Sequence, residues 1–296
     1  MPFQKEYVEQ GTIIMEKKNN GNQKTDLIRR GILILAAAGC VICIFCAVMY
    51  LMKGRHAGRV YEKMRQECVA SGMAEQLPKA DPQEQTEEEM PHEYEEMPVV
   101  DFETLWETNT DICAWIYIPG TEVNYPVLQN AAATDPHDAY YLDHTVDRVS
   151  GLPGAIYIEP CNARDFSDRN TVLYGHHMKN GTMFASLDRY KDNVFMEEHP
   201  YAYLVTPEQN MVYEVCAAVL YDNRHIMGIY DFEQDSSYQA FLDSLTDNRN
   251  MEDVFREGVE MTTDDRLITL STCVKNQDDR RLIVEAVLID AYEREN

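Results

Sequence analysis

Residues 31–52 read GILILAAAGCVICIFCAVMYLM, twenty-two positions without a charge. At about 1.5 Å per residue, a helix of that length spans the roughly 30 Å hydrocarbon core of a bilayer. A secretory leader has a shorter apolar core of about 7–15 residues, followed by a small-x-small cleavage site. This run is longer and ends in Met-Lys-Gly-Arg, so it is read as a retained transmembrane helix. Residues 1–30 before it are short and polar. After it, Val60, Met64 and Cys68 fall near helical spacing. The stretch 71–97 then changes character, with Pro78, Pro82, Pro91 and a run of glutamates that includes Glu87, Glu88 and Glu89. Such a segment repels itself and has little to bury. Residues 53–98 are therefore expected to form a helical and acidic spacer.

From Val99 the pattern becomes that of a folded domain. Asp101 is placed to cap a short helix that shows Phe102, Leu105 and Trp106 on one face. Short apolar runs at 114–118, 155–158, 171–174, 202–206, 211–220, 267–270 and 282–289 are bounded by turn residues and read as strands. Helical spacing recurs at 184–190 and at 232–245, where Phe232, Tyr238, Phe241, Leu242 and Leu245 lie largely along one side. The expected class is mainly β with helices, an antiparallel barrel or sandwich. No internal repeat is visible.

Charge narrows the partners. With 26 Lys and Arg against 51 Asp and Glu, the formal net charge is −25. A chain this acidic lacks the clustered basic surface that nucleic acid requires. Basic residues flank the apolar run on both sides, Lys24, Arg29 and Arg30 before it and Lys53, Arg55 and Arg59 after it, so charge alone leaves its orientation open.

Of the eight cysteines, Cys40, Cys43 and Cys46 lie inside the apolar run. The other five are scattered, without CxxC pairs or the His spacing of a zinc site. Cys113, Cys161 and Cys216 read as buried, inert thiols. His137, His144, His199 and His225 have no reactive context. Neither a metal nor an organic cofactor is implied.

Two strands end in reactive residues. Thr171-Val-Leu-Tyr-Gly-His176-His177 runs into a Gly-His turn, and Leu267-Ile-Thr-Leu-Ser-Thr-Cys273 runs into a polar loop. A further strand opens on Arg280-Arg281. Thiol acyl transfer needs a thiolate, a proton donor for the leaving amine and a donor group for the oxyanion. Cys, His and Arg supply all three, and strand ends are rigid mounts for them.

The order YGHH, then TLSTC, then an Arg-led strand resembles the sortases. The likeness extends over residues 99–292 and includes Trp115-Ile-Tyr-Ile-Pro, Tyr125-Pro-Val-Leu-Gln129, Tyr140-Tyr-Leu142 and Gly181-Thr-Met-Phe184. The helix-forming insert 231–246 and TLSTC resemble class B of the family. The resemblance implies an eight-stranded sortase-type β-barrel over 99–296, behind the transmembrane helix and spacer. It implies Cys273 as nucleophile, His176 as proton-transfer partner and Arg281 as oxyanion partner, with Arg280 one residue away as the competing position. Leu142 and Ser271 match positions lining the class B substrate groove, and Tyr141 is a further candidate. His177 is read as a packing or surface residue.

The implied reaction cleaves secreted proteins after Thr in a C-terminal sorting motif. A thioacyl enzyme then passes the protein to a peptidoglycan precursor or cross-bridge amine. The resemblance also puts the domain outside the cell and residues 1–30 in the cytoplasm. Two other readings stay open on residues alone: a cysteine peptidase or amidase that hydrolyses, and a stalked surface protein without activity. His176 precedes Cys273 by 97 positions, which excludes the papain-like order.

Overall fold

The structure, a computed structural model, describes residues 3–70, 97–247, 250–275 and 277–294. The expected acidic spacer at 71–96 lies outside them. The described chain falls into two compact units, 1–55 and 56–296. A helix α1 (Phe3–Cys68) contributes to both. Within the first unit, the window that carries the apolar run is long and apolar enough to cross a membrane and has none of its surface covered.

The second unit starts well before Val99. Ala57, Tyr61, Met64 and Cys68 are buried in its core. Their spacing of four, three and four residues is that of one helical face. The Tyr61 hydroxyl donates to the Gly154 carbonyl at 2.7 Å, and His56 Nε2 sits 2.6 Å from Asp147. The strands β1 (Val69–Ala70) and β2 (Val99–Val100) then pair antiparallel. The stretch 56–70, expected to be spacer, is therefore part of the folded unit. Its apolar face has enough area to bury.

Helix α2 (Phe102–Thr108) is capped by Asp101, whose carboxylate accepts from the Thr104 N–H. The strands β3 (Ile112–Tyr117), β4 (Asn124–Leu128), β5 (Ile156–Ile158) and β6 (Asn170–Tyr174) follow. A 3-10 turn at Tyr140–Leu142 lies between β4 and β5. Beyond β6 come a longer 3-10 segment (Phe184–Lys191), helix α3 (Asn193–Glu198), and strands β7 (Tyr201–Val205) and β8 (Gln209–Asp222). Helices α4 (Ile226–Ile229) and α5 (Asp235–Asp247) precede β9 (Val254–Phe255), β10 (Leu267–Val274) and β11 (Gln277–Glu293).

The sheet runs β11-β10-β6-β5-β4-β3-β7-β8, and β8 pairs back onto β11. Those eight strands close a barrel, with β9 added at β8. Closure removes the sheet edges that would otherwise recruit other chains. Residues alternate between two cores as strand geometry requires. Ile268, Leu270, Leu282 and Val284 join the main core. Leu267, Ile283, Val172 and Val219 join a second cluster, where α5 lays Tyr238, Phe241, Leu242 and Leu245 on the outer face. Glu285 is on that outer face too, fully buried. Thr269 Oγ1 donates to its Oε2 at 2.9 Å, while Oε1 has no partner among the described residues. Burial raises its pKa to about 8, outweighing the Thr269 bond.

Candidate active site

β6 and β10 lie side by side in parallel, with Tyr174 opposite Ser271. The Gly175 N–H extends the contact by donating to the Ser271 carbonyl at 3.1 Å. His176 and Cys273 each follow that pair by two residues, so the register delivers both to one end of the barrel. Gly175 is the residue that permits the turn. A Cβ there would come within 2.5 Å of the Ile156 side chain and 2.7 Å of the Phe184 ring.

Leu267 to Thr272 are buried and Cys273 is exposed, just where a bulge breaks the β10–β11 register. The thiol therefore sits at the tip of a rigid strand, on the outer face that α5 covers further down. Arg281 is its direct antiparallel partner on β11. Partners in such a pair share a face, with Cβ atoms about 4.5–5.5 Å apart. Arg281 Nη1 donates to the Arg280 carbonyl at 2.9 Å, holding the guanidinium near the strand. Arg280 is on the opposite face, paired with Asp222 of β8. The Asp222 carboxyl is held below its ordinary value, first by Arg224 and more weakly by Arg280.

His176 Nε2 lies 2.7 Å from the Leu142 carbonyl oxygen. A carbonyl only accepts, so Nε2 carries the hydrogen and Nδ1 is the nitrogen free to exchange a proton. The carbonyl is itself positioned by Gly154. A Cβ at Gly154 would lie 2.3 Å from that oxygen, and the residue has φ +65. Tyr61 on α1 bonds the carbonyl of the same Gly154. Residue patterns gave no sign of this support, because it runs through backbone atoms from segments far apart in the chain.

The expected groove residues separate by exposure. The Leu142 side chain is 40 % exposed, beside the atom that orients His176. Ser271 is buried two residues before Cys273 and on the same strand face. Tyr141 is 1 % exposed. Its hydroxyl donates to Asp111 at 2.6 Å and accepts from Asn109 at 2.9 Å. Burial first, then the Asp111 charge, push its pKa up to about 12. Its ring therefore supports the Leu142 turn from beneath and offers no surface to a groove.

His177 faces Asp188 at 2.7 Å. Burial pulls the Asp188 carboxyl up, but Lys191 and His177 together leave it below its ordinary value. His177 is thus tied into a local network with Asp188 and Lys191. Burial pushes Cys113 up to about 12 and Cys216 well above the ordinary thiol value, so both stay protonated at neutral pH. Cys161 is not buried as expected but exposed. Its neighbour is the Glu159 carboxylate at 3.6 Å rather than a cation, which disfavours a thiolate.

The Sortase domain family matches residues 116–289, more than half of the chain. Sortase B of Staphylococcus aureus is 33 % identical over 190 residues, 64 % of this chain and 74 % of that protein. Sortase B of Listeria monocytogenes is 29 % identical over 187 residues, covering 62 % and 72 %. Among solved structures, the S. aureus sortase B–substrate complex matches with a TM-score of 0.54 at 33 % identity, over 64 % of this chain and 84 % of that one. A sortase B from B. anthracis matches with a TM-score of 0.59 at 26 % identity, over 82 % and 99 %.

Proposed function

The chain belongs to the sortase family as a class B cysteine transpeptidase, and on that premise we propose that Cys273, His176 and Arg281 carry its reaction. The proposal adds that its substrates are secreted proteins bearing a C-terminal sorting motif. One observation supports it above the others: the register puts Arg281 opposite Cys273, and His176 follows the end of the parallel strand alongside by two residues.

Cys273 thiolate attacks the carbonyl carbon that follows Thr in the motif. The carbonyl oxygen takes the negative charge, and Arg281 donates to it. The C–N bond breaks as His176 passes a proton to the departing amine, leaving a thioester on Cys273. An amine of a peptidoglycan precursor or cross-bridge then attacks that thioester. It gives its proton to His176, forms the new amide and releases the thiolate. Leu142 and Ser271 border the path the peptide takes to Cys273. Tyr141 contributes by holding the Leu142 turn.

In the cell, the apolar window of α1 anchors the protein as a single span. Residues 1–30 lie in the cytoplasm and the barrel lies outside, where its substrates emerge. Incubating the protein with a threonine-containing sorting peptide, with and without an added amine, tests the reading. A transpeptidase yields the amide of the added amine as main product. A yield of free acid unchanged by the amine would identify a hydrolase instead.

A further inference from the structure

Three potential metal ligands and a supporting histidine meet beside β5. His137 follows β4, Glu159 and Cys161 follow β5, and His225 precedes α4. The Glu159 side chain is 5 % exposed. Its Oε2 is 3.1 Å from His137 Nδ1 and 3.6 Å from Cys161 Sγ, and its Oε1 is 2.7 Å from His225 Nε2. The ligand atoms of His137, Glu159 and Cys161 all lie within 4.8 Å of one another. The two imidazoles meet edge to face, with ring centroids 4.6 Å apart.

We propose that His137 Nδ1, Glu159 Oε2 and Cys161 Sγ form a site for a divalent transition metal of the zinc class, with His225 holding the other oxygen of Glu159. Tetrahedral zinc with bonds of about 2.0–2.3 Å holds neighbouring donors about 3.3–3.7 Å apart. The Oε2–Nδ1 and Oε2–Sγ separations, 3.1 and 3.6 Å, lie within or a few tenths of an ångström below that range, so small side-chain adjustments admit the ion. A nitrogen, a sulfur and an oxygen suit zinc, whereas calcium and magnesium take oxygen ligands. A bridge of two histidines on one carboxylate needs no thiol, and Cys161 is the donor that such a bridge leaves unexplained.

The backbone around the ligands is already fixed. The Cys161 N–H donates to the Pro136 carbonyl at 2.9 Å. Gln129 Nε2 donates to the Glu159 and Asn162 carbonyls at 2.9 and 2.7 Å. A cavity of about 350 Å³, lined by Cys161, Asp168, Asn170, Gly228 and Tyr230 among others, opens beside the thiol and gives an ion a way in. The site keeps three protein ligands and a fourth position for water, with His225 orienting the Glu159 carboxylate through its other oxygen. It ties the β5 loop to the start of α4, and so steadies the α4–α5 layer on the face that carries Cys273.

Cobalt reports the site directly. The full chain in detergent, reduced and carrying Cys273→Ala to remove the reactive thiol, is titrated with Co²⁺. One equivalent should produce a thiolate-to-cobalt charge-transfer band and the intense visible bands of four-coordinate cobalt, and zinc should displace both. Cys161→Ser should abolish the charge-transfer band. His225→Ala, from a different segment, should weaken binding at least tenfold. Cys43→Ser, in the apolar run, should leave the bands intact. Circular dichroism checks that each variant is folded. Folded protein without the bands, or bands of equal strength in Cys161→Ser, would overturn the site and leave an ion-pair network.

Discussion

At the scale of single residues, Arg281 and Arg280 are separated by strand alternation. Only Arg281 shares the face of Cys273. Loss of an oxyanion donor costs about 100–1,000-fold in turnover, and lysine keeps the charge but not the planar set of donors. Arg281→Ala and Arg281→Lys should both slow single-turnover acylation by about that factor, with Arg280→Ala within a few-fold of the parent. The reverse ranking would move the role to Arg280. A subtler residue is Gly154. Gly154→Ala drives a methyl toward the Leu142 carbonyl that holds His176, so acylation should fall and its pH profile should change while Cys273 stays accessible to alkylation. An unchanged profile would separate Gly154 from His176.

Glu285 gives a prediction about stability. Its folded pKa, about 8, is above the ordinary carboxyl value. Between about pH 4.5 and 8 the folded state holds a proton that the unfolded state has released. Stability therefore falls as pH rises through that window. The full difference is at most about 4–5 kcal/mol. Glu285→Gln keeps the neutral shape, so it should stabilise the protein at pH 9 and much less at pH 5. Denaturant unfolding at the two pH values measures this, and an equal effect at both would remove Glu285 as the cause.

At the scale of elements, the end of α1 matters more than its sequence suggests. Tyr61 and Met64 are buried, and each such side chain contributes about 1.5–3 kcal/mol. Tyr61 also bonds the glycine that positions Leu142 and, through it, His176. A protein beginning at Val99 should be several kcal/mol less stable than one beginning at His56 and less active on peptides. Thermal melts and acylation rates of the two would show it. Equal stability would return 56–70 to the spacer.

The same elements show what could be read from sequence. Strands at 171–174 and 267–270, and the apolar face of α5, were legible because periodicity is local. α5 begins at Asp235, three residues after the expected start, with Phe232 packed in the turn ahead of it. β4 was hidden by Pro126, which breaks the usual strand signal. The stripe of Ala57, Tyr61, Met64 and Cys68 was obscured by adjoining the apolar run. The Leu142–His176 bond and the meeting of His137, Glu159, Cys161 and His225 were beyond reach, since segments far apart in the chain form them.

At the scale of the whole molecule, barrel closure and parallel pairing of β6 with β10 bring three distant residues to one rim. On the proposed mechanism, Cys273 carries a thioacyl intermediate that an amine, rather than water, resolves. Its most direct measurement is intact-protein mass after brief exposure to a threonine-containing sorting peptide, followed by mapping of the modified residue. An acyl adduct ending in Thr should form on Cys273, be discharged by added amine faster than by buffer, and be absent from Cys273→Ala. Peptide cleavage persisting in Cys273→Ala, or an adduct on another residue, would contradict the mechanism.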